Sequence, residues 1–251
     1  MNINSSKMTK IKTYLWQITA KTNLHVGNED STSYGIIDKA VQRDALTGLP
    51  CINASSLKGA INEFCCSEVA EGKSRMSVEH RKRIFGSDKK GDKNDFTKGQ
   101  AVFYDAQILF LPVQDEEKLY KYISSQEVLD ILQDRLSLFS IKVGKDKFNL
   151  NRELTKLENK DFSIACNDQN LPIIARNILE NGISKNLWYE QVVPAETVFY
   201  AIIQEEGDTL YKAINGKIIQ IGANATIGYG YCKFECITTN ELYDYEIQRT
   251  E

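Results

Sequence analysis

From Lys10 to Ala20 apolar and polar positions alternate, placing Tyr14, Trp16, Ile18 and Ala20 on one face, and this period predicts a strand. Residues 1–9 lack such a pattern and read as a disordered N-terminus, and Asn23 to Tyr34 is a polar loop carrying His25. Leu49 to Ile52 predicts a short strand. After Ser55 the period becomes helical, with Leu57, Ala60, Ile61, Phe64, Cys65 and Val69 forming one buried stripe. Val78 to Phe85 predicts a basic helix stopped by Gly86, and Ser87 to Gly99, charged and glycine-containing, a mobile loop. Ala101 to Val113 is β-prone and central. Ser124-Ser-Gln-Glu127 has the form of a capping box, opening a helix that buries Val128, Leu129, Leu132 and Leu136. Gly144 to Asn170 is polar and yields no assignment. Ile173 to Ile178 and Leu187 to Val193 flank Glu180-Asn181-Gly182, which predicts a hairpin because Asn-Gly supports positive-φ turns. Thr197 to Gln204 predicts a strand, Asp208 to Asn215 a helix, and Ile218 to Ile221 and Gly230 to Thr238 two last strands. Helices interleave with hairpins, so the fold class is α+β rather than a doubly wound parallel sheet.

The 251 residues fit a single domain over 10–238, with a basic insertion at 73–99 and an acidic tail at 239–251. No apolar run approaches the roughly 20 residues of a membrane helix. The polar start shows no secretory signal, so the expected location is cytoplasmic, with the six cysteines reduced. Cys65 and Cys66 are helix neighbours that point apart, which suits packing better than metal ligation. A net charge of −3 argues mildly against a protein that binds nucleic acid on its own. The basic stretch between Lys73 and Lys98 can nevertheless steer an anion to one side of the molecule.

Candidate chemistry gathers between Gly35 and Gly59. Ser55, Ser56 and Lys58 stand in the first turn of a predicted helix, where unpaired N–H groups and the helix dipole favour a phosphate. Asp38 lies upstream on a loop, where a carboxylate can hold a divalent ion or orient a ribose 2′-hydroxyl, or simply close a turn. A second loop, Ile221 to Gly230, carries three glycines that let backbone approach a ligand closely, yet it is neither a dinucleotide fingerprint nor a P-loop. Tyr229, Tyr231, Trp188 and Tyr189 could stack on bases, although strand aromatics more often pack. His25 has no nucleophile-elbow sequence to serve.

Six segments occur in a recognisable order: Gly35 to Arg43, Thr47-Gly-Leu-Pro50, Ser55-Ser-Leu-Lys-Gly59, Leu187-Trp-Tyr-Glu190, Pro194 with Thr197-Val-Phe-Tyr200, and Ile221 to Gly230. Together they resemble the repeated backbone subunit of type III-B CRISPR (Cmr) effector complexes, within the RAMP superfamily. The resemblance implies a modified ferredoxin-like (RRM-like) palm with a helical insertion and a thumb β-hairpin, here at Ile173 to Ser184 within region 173–193. It also implies copies stacked as a filament on guide RNA, in contact with other subunits of the complex, that cleave complementary target RNA at regular intervals.

By the same resemblance, Asp38 is the acid that cuts with a divalent metal, expected to be Mg²⁺, and His25 and Glu190 are accessory. Arg43, Ser55, Ser56 and Lys58, with Gly222, Asn224, Thr226, Gly228 and Gly230 of the second loop, become RNA contacts. Val192 stands where relatives carry a tyrosine. Other readings are a structural RNA-binding subunit that does not cut, a metal-independent nuclease that trims guide precursors, and a small-molecule hydrolase. The scarcity of histidine weighs against the trimming nuclease.

Overall fold

A computed structural model describes residues 11–27, 37–69, 73–87, 97–141, 143, 147–148 and 150–237. The expected disordered start, most of the loops 23–34 and 87–99, and the acidic tail lie outside the described residues. The first half holds β1 (Ile11–Ala20), β2 (Cys51–Ile52), α1 (Ala54–Cys66), β3 (Glu68–Val69), β4 (Lys73–Ser74) and α2 (Val78–Phe85). Then come β5 (Val102–Phe103), β6 (Ala106–Asp115), β7 (Leu119–Ser125), α3 (Gln126–Leu138), β8 (Leu154–Leu157) and α4 (Asn159–Ala165). The last third holds β9 (Ile173–Glu180), β10 (Ile183–Gln191), β11 (Val198–Glu206), α5 (Thr209–Ile214), β12 (Ile218–Gln220) and β13 (Tyr231–Cys236).

The main sheet runs β12-β13-β1-β11-β6-β7-β8, with β2 also on β6 and β5 also on β11. Within it β1, α1, β6, β11, α5 and β13 follow one another as strand, helix, strand, strand, helix, strand. Their four strands lie in the order β13-β1-β11-β6, each antiparallel to its neighbour. That is the ferredoxin-like arrangement, α+β as the sequence implied. Between β6 and β11 the chain inserts β7, α3, β8, α4 and the β9–β10 hairpin.

β1 is central, with β11 and β13 on its two edges, and both of its faces are buried. Tyr14 and Trp16 pack with Tyr211 of α5, and Thr13, Leu15, Gln17 and Thr19 on the opposite face are buried too. Buried Thr13 accepts a hydrogen bond from Gln204, and Thr19 one from Gln17, so these polar groups are not left unpaired. α1 buries Leu57, Ile61 and Cys65 as its spacing predicted, and Cys66 points outward.

Three expectations change. The Ala101–Val113 strand is interrupted after Phe103, because Asp105 leaves the ladder and its carboxylate accepts the Ala54 N–H at the start of α1, 2.6 Å away. The α3 cap is Ser125, not Ser124: Ser125 Oγ accepts the Val128 N–H at 3.3 Å, while β7 continues through Ser125. The unassigned polar stretch contains β8, which pairs parallel to β7, and α4, seated on buried Phe162.

Candidate functional site

Asp38 is fixed to the base of the hairpin. Its N–H and that of Lys39 donate to the Tyr189 carbonyl at 3.0 and 3.2 Å, and Lys39 pairs in parallel with Glu190. In return, Asp38 Oδ2 accepts the Tyr189 N–H at 2.7 Å, and the residue stays exposed. A loop acid that sequence alone left free to close a local turn is therefore bound across the chain to β10.

Glu190, fully buried, is the hub next to it. Its Oε1 accepts the Asn224 side-chain amide at 2.6 Å and faces His25 Nε2 at 3.4 Å, while Oε2 lies 3.5 Å from Arg176. His25 Nδ1 lies 2.7 Å from the Gln191 carbonyl; a carbonyl only accepts, so Nδ1 carries the proton. An isolated buried carboxylate is costly, and these partners are what make the position tolerable.

The same hub anchors the glycine loop. Ala223 donates its N–H to the His25 carbonyl at 2.9 Å, and a Cβ on Gly222 would collide with that carbonyl. Gly222 (φ 81°) and Gly230 (φ 78°) also hold left-handed backbone, where a side chain is strained. Asn224 is left-handed as well (φ 66°), a conformation asparagine tolerates better than most residues. Thr226 and Gly228 follow on the loop's short 3₁₀ turn, Thr226 exposed.

The other end of the Asp38 segment reaches the start of α1. Gln42 Oε1 accepts the Asn53 N–H at 2.9 Å, and its Nε2 donates to Ser56 Oγ at 3.2 Å. With Asp105 on the Ala54 N–H, this helix mouth is partly furnished by the protein's own acceptors. Ser55 remains exposed and Lys58 half-buried. Arg43 is turned inward: Nε and Nη2 meet Asp168 Oδ1 at 3.0 and 2.7 Å, and Nη1 donates to the Gly48 and Cys166 carbonyls. Its guanidinium thus braces the turn against α4. Of the expected site residues, Asp38, Glu190, His25 and Asn224 are neighbours, and Ser56 is joined to the Asp38 segment through Gln42.

Several participants escaped the sequence reading. Arg176 sits among apolar residues of β9 and is brought to Trp188 by strand register. Lys39 lies over the Trp188 ring, 5.3 Å from its centroid. Gln42 and Asp105 act through partners far along the chain, which no local signal announces.

Among the described residues no group of three or more His, Cys, Asp or Glu side chains is arranged to hold a metal ion. His25 and Glu190 face each other within the protein. Of the two carboxylates at this hub, Glu190 and Asp38, only Asp38 is exposed, and a single carboxylate falls short of the cage a protein alone would build around a cation. Burial pushes the thiols of Cys51, Cys65, Cys166 and Cys232 up to about 12, so these four are not poised as thiolates.

Known proteins resemble this chain in sequence and fold. The CRISPR system Cmr endoribonuclease Cmr4 of Pyrococcus furiosus is 26% identical over 289 residues, covering 89% of this chain and 95% of its own length. The Cms endoribonuclease Csm3 of Streptococcus thermophilus is 38% identical over 105 residues, 40% of this chain and 44% of that protein. A chain of the type III-B Cmr-beta complex, solved by cryo-EM in the apo state, superposes with a TM-score of 0.72 at 21% identity, covering 90% of this chain and 97% of that one. Oligomeric Cmr4 from Pyrococcus furiosus superposes with a TM-score of 0.63 at 22% identity, covering 90% and 99%. These structures bear on the fold alone. The RAMP superfamily model matches residues 17–233, from the middle of β1 into β13, and with the ferredoxin-like sheet and the glycine loop in place the chain belongs to that superfamily.

Proposed function

We propose that this chain is the repeated backbone subunit of a type III-B CRISPR effector complex, which binds guide RNA alongside copies of itself and other Cmr subunits and cleaves complementary target RNA. The observation that carries the reading is the placement of Asp38: an exposed carboxylate held by the Tyr189 N–H, on a segment running from the glycine loop's anchor to the start of α1. Similarity to a Cmr endoribonuclease along nearly the whole of both chains supports it.

In this reading the glycine loop offers backbone and the α1 start offers hydroxyls to one strand's phosphates, and Asp38 addresses the paired strand. Asp38 would hold a divalent ion, Mg²⁺ by expectation, which when bound neutralises charge developing on the phosphate. Glu190 and His25 act from beneath, as positioning residues.

The test is co-expression with partner subunits and a guide RNA, followed by cleavage of matched RNA with Mg²⁺ or EDTA. Asp38→Ala should abolish cutting and leave assembly and guide loading unchanged. Unchanged cleavage would remove Asp38 from the reaction, and a wild-type complex that binds matched RNA without cutting it would leave a structural subunit. Cleavage persisting in EDTA would exclude the metal.

A further inference from the structure

Two cations surround one indole at the base of the hairpin. Lys39 Nζ lies 5.3 Å from the Trp188 ring centroid, and the Arg176 guanidinium 6.0 Å from the same ring and 5.9 Å from Tyr229. Three separate parts of the chain supply them: the Asp38 segment, the hairpin and the glycine loop. Among the described residues no carboxylate pairs with Lys39, which is exposed. Arg176 meets Glu190 only at 3.5 Å, through Nη1, and a guanidinium has further donors to offer. The Trp188 indole N–H, shielded from water, has no acceptor among the described residues.

Such an arrangement suits an oxyanion. The aromatic faces hold both cations by their quadrupoles; Lys39 is held so without a carboxylate partner among the described residues, while Arg176 shares its charge with Glu190. Lys39 directly follows Asp38 and is bound to the same Tyr189 carbonyl, which fixes the cation seat next to the acid. We propose that Lys39 and Arg176, lodged around Trp188, form the binding seat for the target-strand phosphate that lies beside Asp38. This rests on the reading of Asp38 as the cutting residue. It adds the groups that bind the phosphodiester, which a carboxylate alone would repel.

The assembled complex carrying Lys39→Met, Lys39→Arg, Arg176→Lys or Asp38→Ala tests it. Two quantities are measured: matched-RNA affinity as a function of salt, and single-turnover cleavage. Lys39→Met keeps the length and apolar stem but removes the charge. Because every copy of the repeated subunit carries the change, it should weaken matched-RNA binding by at least about tenfold and lower the slope of log affinity against log salt by about one contact per copy. Lys39→Arg should restore both. Arg176→Lys keeps the charge facing Glu190 and should retain the salt slope while losing part of the affinity. Guide loading should not change in any of them.

A Lys39→Met complex with wild-type affinity and salt slope would overturn the seat, whatever Asp38→Ala does. If Lys39→Met weakens binding while Asp38→Ala still cuts, the seat stands and the assignment of Asp38 fails.

Discussion

Asn224 donates its side-chain amide to Glu190 Oε1 at 2.6 Å, joining a left-handed residue of the glycine loop to a buried carboxylate at the foot of the hairpin. Through Glu190 the loop is tied to His25, to Arg176 and, one residue away in β10, to the Tyr189 backbone that holds Asp38. Removing the amide should cost about 2 kcal/mol, the range for a hydrogen bond to a charged group. Urea unfolding of Asn224→Ala measures this. Asn224→Gly separates the causes, because glycine relieves the left-handed strain but restores no bond. If the alanine variant is as stable as wild type, the bond contributes nothing.

Asp38→Asn isolates charge from placement. Asparagine still offers an oxygen to the Tyr189 N–H, so the segment should stay on β10. Cleavage of matched RNA should fall by about a hundredfold or more in single-turnover assays, the scale of a lost acid–base or charge contribution. Thermal unfolding should be unmoved. A variant that cuts like wild type would show that placement alone suffices.

The two serines before α3 should behave oppositely. Ser125→Ala removes the acceptor of the Val128 N–H and should cost about 1 kcal/mol. Ser124 Oγ is buried with no partner among the described residues, so Ser124→Ala should be neutral or slightly stabilising. Denaturant midpoints of the pair decide the cap; the reverse order would return it to Ser124.

Asp44 gives an acid-side signature. Burial tends to raise its pKa, but the Thr47 N–H and O–H, Gln107 and the Leu46 N–H outweigh it and hold the carboxyl below the ordinary 3.8. The unfolded chain therefore takes up this proton first as pH falls. The stabilisation is complete above the unfolded value and is lost as pH drops through the lower folded one. Unfolding from about pH 6 to about pH 3 should show wild type losing stability relative to Asp44→Asn at the acid end. A stability difference that does not vary with pH would show that Asp44 does not sense its neighbours.

Much of this molecule was legible in one dimension. The helical stripe of α1, the buried set of α3, the Gly86 stop and the Asn181-Gly182 turn each follow from periodicity or backbone preference within a few residues. Asp38 and Glu190 were nameable because their segments carry a recognisable order, and His25 through the resemblance those segments establish. Their connection was not, since each bond spans separate parts of the chain.

Hairpin register shows the divide most clearly. The turn alone pairs Glu180 with Ile183 and would set Arg176 opposite Leu187. A bulge between Ser184 and Asn186 shifts the ladder by one, and Arg176 faces Trp188 instead. That single extra residue brings the cation to the Glu190 hub. Likewise, alternation marked one buried face of β1, while burial of the opposite face, with Thr13, Leu15, Gln17 and Thr19, depends on packing its own sequence does not name. Local sequence determined which segments are strand, helix and turn, because those choices depend on neighbours within a turn or two. Which side chains share a charge, a carbonyl or a ring was decided by tertiary packing, because a hydrogen bond senses distance in space and not separation along the chain.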